Sequence, residues 1–129
     1  MQCLSLNLSR APARERSQFA FVSSQRARLY HCFRGLGGCV LLVTCHRTEL
    51  YFNCARQRAE EILLRLAGVK AAAFEYFPAA EEHLFLLAAG LKSMLLGEDE
   101  ILGQIRDAYE EARAAGVSAG LDEVFQSAI

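Results

Sequence analysis

The sequence predicts an α+β domain: a ferredoxin-like βαββαβ antiparallel sheet with additional C-terminal helices, all within one unit over residues 1–129. Three observations point there. Apolar and polar residues alternate near the N-terminus and again around residue 50, the two-residue period of half-buried strands. Between and after these runs lie stretches of helical period, closed by glycine. From residue 79 onward the helical period alone remains. At 129 residues, 53% hydrophobic and 22% charged, the chain can bury one sizeable core.

In chain order, Cys3-Leu4-Ser5-Leu6-Asn7-Leu8 alternates as a first strand does. Leu29, Tyr30 and Phe33, with Val22 just ahead, give a helix over 23–34 that Gly35, Gly37 and Gly38 end. Cys39 to Val43 is apolar throughout, which predicts an inner strand covered on both faces. In the next strand, 49–54, Leu50, Phe52 and Cys54 alternate with Glu49, Tyr51 and Asn53, so one buried face is expected. Ile62, Leu63 and Leu66 mark a helix from about Gln57 to Gly68. Ala73 to Phe77 reads as the last strand, and Pro78 suits the first turn of a helix over 79–94 faced by Leu84, Leu87, Ala88 and Leu91. Gly97 breaks that helix. Ile101, Leu102, Ile105, Tyr109 and Ala112 line the next, up to Gly116. Leu121, Val124, Phe125 and Ala128 start a last helix that reaches Ile129 without a stop signal and reads as cut.

No apolar run approaches the roughly 18 to 20 residues of a membrane span, and no basic start with an apolar block marks a signal peptide, so a cytoplasmic protein without a membrane partner is expected. Five cysteines, at 3, 32, 39, 45 and 54, are an odd number without a C-x-x-C pair. Free thiols are expected, with no metal implied. The net charge of −1 is unevenly spread: residues 1–34 hold six Arg against Glu15 alone, a balance of +5 that leaves −6 for the rest. Basic clusters mark nucleic-acid contact or, more commonly, a solvated face.

Thr44 to Thr48 is the polar tip between two strands, with a thiol, an imidazole and a guanidinium at Cys45, His46 and Arg47. A lone cysteine is most often an inert core residue. At a polar tip beside cations, Cys45 instead reads as a nucleophile, since neighbouring positive charge lowers a thiol's pKa. His31 and Cys32 are i,i+1 neighbours that do not share a helix face, and carry no assigned chemistry. On residues alone, His83 reads as a surface or capping histidine, Glu98 as a helix-start acid favoured by the macrodipole, Gln104 as an exposed amide and Ser93 as an ordinary polar residue. No G-x-G-x-x-G exists; Gly35-Leu36-Gly37-Gly38 follows a helix and precedes a strand, the reverse of a dinucleotide site. Two other classes stay open. One is a cysteine hydrolase or thioesterase using Cys45 with His46 or His83. The other is a ferredoxin-like RNA-binding module, ranked last because Tyr51 and Phe52 do not supply an RNP-type pattern.

Thr44-Cys45-His46-Arg47-Thr48-Glu49-Leu50-Tyr51 resembles the signature around the catalytic cysteine of glutamyl-tRNA reductases. A second match follows in His83-Leu84-Phe85, Gly90-Leu91-Lys92-Ser93-Met94 and Gly97-Glu98-Asp99-Glu100-Ile101-Leu102-Gly103-Gln104-Ile105. The resemblance covers nearly the whole chain, but only the family's N-terminal, catalytic domain. It implies that the Cys45 thiolate displaces tRNA from glutamyl-tRNA to leave a thioester, which NADPH in the full enzyme reduces to glutamate-1-semialdehyde for tetrapyrrole (porphyrin) biosynthesis. It implies catalytic roles for Cys45 and His83, and substrate binding by Thr44, Arg47, Ser93, Glu98 and Gln104. Arg47 is the expected reader of the substrate's side-chain carboxylate, because a guanidinium fork matches a carboxylate at two points. The NADPH-binding domain and the domain through which relatives form homodimers are expected outside this chain, and contact with the next enzyme, glutamate-1-semialdehyde aminomutase, is a further implied partnership. Two departures stand out: Leu8 occupies the place of the family's usual His, and His46 that of its usual Asn.

Overall fold

The computed structural model describes residues 1–91 and 100–129. The elements run β1 (Gln2–Asn7), α1 (Ala13–Ser17), α2 (Ser23–Phe33), β2 (Cys39–Val43), β3 (Arg47–Phe52), α3 (Arg56–Ala67), β4 (Glu75–Phe77), α4 (Glu81–Ala88), α5 (Ile101–Ala114), a 3₁₀ turn (Ala119–Leu121) and α6 (Asp122–Ala128). The four strands form one sheet in the order β2-β3-β1-β4, antiparallel at every pairing.

Register divides the sheet into two chemically different faces. Opposite residues share a face, so Cys3↔Tyr51, Ser5↔Glu49 and Asn7↔Arg47 align thiol, hydroxyl, amide and charged groups on one side. Leu4↔Leu50 and the residues in step with them, Leu6 and Phe52, point the other way and join Leu29 and Phe33 of α2 and Ile62 and Leu63 of α3 in the core. α4 and α6 lie over the polar side: the His83 ring stacks on Phe77 at 3.9 Å, and Phe125 meets Tyr51 edge-on at 5.3 Å.

Several expectations are corrected here. Glu49 and Tyr51 do not face water; all six residues of β3 are buried, because helices cover both sides of the sheet. β2 is an edge strand rather than an inner one. Its unbroken apolar run answers to α5 and α2, which pack against it. β3 starts at Arg47, two residues before the expected strand, and β4 has only Glu75 to Phe77. The short helix α1 was not expected at all.

The helix predicted over 79–94 stops at Ala88. Gly90 adopts φ 78°, and Leu91 N–H returns to the Leu86 carbonyl at 2.9 Å, an end that satisfies the last carbonyls and suits glycine's freedom at positive φ. Residues 92–94 of that prediction, and the break at Gly97, lie outside the described residues. A second glycine is fixed by contact: a Cβ on Gly38, at φ 80°, would sit 2.0 Å from the Val117 carbonyl oxygen. That close approach lets Cys39 N–H bond the same carbonyl at 3.0 Å, tying the start of β2 to the segment after α5. Among the described residues, no helix is long and apolar enough to cross a membrane.

Candidate active site

The hairpin between β2 and β3 closes above the Val43↔Thr48 pair, with Thr44 to His46 as its loop before Arg47 opens β3. Thr44 organises it. Its N–H bonds the Arg47 carbonyl at 2.8 Å, and its hydroxyl accepts from the N–H groups of His46 and Arg47, each at 3.2 Å. A threonine hydroxyl often closes a turn this way. Here no non-glycine residue needs positive φ. Cys45 is left exposed at the apex. It shares a cleft of about 220 Å³ with Thr44, Thr48 and, from α1, Ala13, Arg16, Ser17 and Ala20. The Arg16 guanidinium reaches across from α1, Nη2 donating to the Cys45 carbonyl at 3.4 Å and Nη1 to the Ala11 carbonyl at 2.9 Å.

Arg47 lies elsewhere. It is buried on the polar side of the sheet, Nη1 3.2 Å from Glu49 Oε2. Glu49 is the centre of that side. Its Oε2 also accepts from Ser5 Oγ at 2.7 Å and His83 Nε2 at 2.9 Å, while Oε1 accepts from the Tyr51 hydroxyl at 2.6 Å. Burial alone would raise the Glu49 pKa from the usual 4.5. The hydrogen bond and charge of His83, the charge of Arg47 and the Tyr51 hydroxyl outweigh it and hold the group down to about 2. A carboxylate can only accept, so His83 carries its proton on Nε2. Asn7 extends the cluster, donating to Ser5 Oγ at 2.9 Å and to Glu75 Oε1 at 3.2 Å. Among the described residues no buried side-chain nitrogen or oxygen lacks a partner.

The predicted site residues therefore fall into three groups. Thr44 and Cys45 meet at the tip. Arg47 and His83 meet at Glu49, and the reading of His83 as a surface histidine is overturned, since it is 4% exposed. Gln104 lines a separate cavity of about 470 Å³ between β2 and α5, with Arg26, Asp107 and Glu111. Ser93 and Glu98 lie outside the described residues. Sequence reasoning missed Glu49, whose signal was an acid in phase with Ser5-type polar positions on the facing strand, and Arg16, whose helix leaves no periodic trace.

Cys3, Glu49 and His83 bring one possible ligand atom each to within 4.8 Å of one another. They fit a metal poorly. Burial, and next the Glu49 charge, push the Cys3 thiol well above its usual range, whereas a thiol ligand must lose its proton, and Glu49 already accepts four bonds. The glycines at 35, 37 and 38 do not fit a dinucleotide either: they follow α2, and the space a phosphate cradle would need at Gly38 is filled by Val117.

The model of the glutamyl-tRNA(Glu) reductase N-terminal domain matches residues 4–129. This chain belongs to that family. It is 39% identical over 131 residues to a glutamyl-tRNA reductase of Methanopyrus kandleri, covering 98% of this chain and 31% of the relative. It is likewise 39% identical over 130 residues to one from Xanthomonas oryzae pv. oryzae, covering 95% and 30%. The fold superposes on the solved glutamyl-tRNA reductase from Methanopyrus kandleri with a TM-score of 0.78 at 36% identity, covering 98% of this chain and 32% of that one. The chain thus spans about a third of the length of the family members it matches.

Proposed function

We propose that this chain is the catalytic domain of a glutamyl-tRNA reductase and takes the glutamyl group from its tRNA ester onto Cys45. The observation that carries this is an exposed thiol at the apex of a hairpin fixed by the Thr44 hydroxyl, beside a cleft of about 220 Å³. The Cys45 thiolate attacks the ester carbonyl carbon; the sulfur–carbon bond forms, the bond to the ribose oxygen breaks, and the departing oxygen takes up a proton. Covalent catalysis of this kind splits one difficult step into two easier ones.

In this reading Arg47 pairs with the substrate's side-chain carboxylate, its plane set by Glu49, and His83, oriented by the same carboxylate, is the proton-handling group. Thr44, Ser93 and Gln104 complete the substrate-binding set, and Glu98 receives the α-ammonium. NADPH, which supplies hydride when bound, belongs to a part of the enzyme outside these 129 residues, as does homodimerisation. Passing of the product to an aminomutase, a cytoplasmic setting and a ferredoxin-like topology belong to the same reading. The strand order β2-β3-β1-β4 and the βαββαβ succession of the main elements support the last.

The test is to incubate the domain with labelled glutamyl-tRNA, trap it, and locate the glutamyl adduct by mass spectrometry. Cys45→Ser abolishes the adduct and stays folded, while Ser at Cys32, also exposed, leaves it intact. Equal loss at Cys32 would sink the assignment.

A further inference from the structure

The geometry points to Arg16 as the residue that receives the terminal phosphodiester of the RNA acceptor end while its aminoacyl ester lies at Cys45; the inference rests on the acyl-transfer reading above. Arg16 lines the cleft that holds Cys45. Both of its hydrogen bonds go to neutral backbone carbonyls, of Ala11 and Cys45, so the guanidinium is oriented without its charge being cancelled. Among the described residues no carboxylate lies within ion-pair distance of it. By contrast, Arg47 is paired with Glu49 and Arg26 with Glu111.

Size then separates the two anions of the substrate. Arg47, which reads the amino acid, lies on the other face of the hairpin, and a cleft of about 220 Å³ on the α1 face is too small to enclose a whole nucleotide, so the nucleotide must lie across the cleft's mouth. The first negative charge it carries is its phosphodiester. A guanidinium matches phosphate oxygens at two points, and an uncancelled one at the rim of a partly solvated cleft keeps that capacity. From Cys45 the acyl group runs to the Arg47 side of the hairpin and the RNA to the α1 side. Arg16 is thus a positioning residue for the leaving group, distinct from the residue that reads the amino acid.

The experiment compares Cys45 acylation by glutamyl-tRNA and by 3′-O-glutamyl-adenosine, which carries the same ester and no phosphate. For Arg16→Gln the ratio of the two rates, tRNA over adenosine, falls about tenfold or more, the size of one charge-assisted bond. The dependence of the tRNA rate on salt loses close to one phosphate contact. Arg16→Lys restores part of the ratio, keeping charge without the fork. Arg14→Gln, on the far side of α1 against Gln18 and Val69, leaves the ratio unchanged. An equal loss on both substrates would mean that Arg16 only props the Cys45 carbonyl, and would overturn the inference while leaving the acyl-transfer reading intact; so would an unchanged ratio. Acylation of the parent chain by neither substrate would overturn both.

Discussion

Glu49 makes the stability of this domain depend on pH in a defined direction. Its carboxyl is held down to about 2 in the fold against an ordinary 4.5, so the stabilisation it contributes is fully present above about pH 4.5 and is lost as pH falls toward 2. Glu49→Gln keeps the shape but removes the carboxylate that Arg47 and His83 share, and removal of one partner from a buried ionic cluster costs about 3–5 kcal/mol. Urea unfolding of parent and variant between about pH 7 and pH 2 checks this. The gap between them should narrow below pH 4.5. A gap that stays constant down to pH 2.5 would show that ionisation of Glu49 is not its source. This residue also marks a limit of sequence reading. Alternation correctly separates Glu49 and Tyr51 from Leu50 and Phe52, but it cannot tell a solvated face from a polar face roofed by α4 and α6. His83 was misjudged for the same reason: its partner lies thirty-four positions away in sequence.

At the scale of elements, helix ends and the hairpin were legible because their signals are local. Gly68 and Gly116 end α3 and α5 where the glycine pattern places them, and the polar tip between two apolar runs is where the β2–β3 turn occurs. Edge position was not legible, since an apolar run records coverage by α5 and not the number of neighbouring strands. Nor was α1, whose five residues bury no side chain and so leave no stripe. The junction at Gly38 yields a quantitative contrast. Gly38→Ala combines positive φ with a Cβ 2.0 Å from the Val117 oxygen, and should cost about 3 kcal/mol or more, strain and overpacking together. Gly90→Ala, also at positive φ but with nothing among the described residues within 4 Å of the added Cβ, should cost only about 1–2 kcal/mol. Denaturant midpoints of the two variants decide it; equal losses would mean that the Val117 contact yields without cost.

For the molecule as a whole, chemistry and cofactor are expected to separate. With no dinucleotide fingerprint in its sequence and Gly38 closed off by Val117, the 129-residue chain should release tRNA from glutamyl-tRNA at a rate that NADPH does not change, giving free glutamate as water takes the acyl group. Semialdehyde formed by this chain in an NADPH-dependent way would refute that.

The way α4 is fastened has a consequence for how the domain opens. Eight residues make a helix too short to persist alone, and ordinarily such a segment frays away from its host at little cost. Here its departure would pull His83 from a buried carboxylate on a central strand and its ring from Phe77, and loss of one charge-assisted bond costs about 1.5–3 kcal/mol. Fraying is penalised by about that much, and the roof over the polar face is tied to the sheet beneath it. A short segment that would otherwise come and go by itself is held, through one imidazole, to a strand at the centre of the fold.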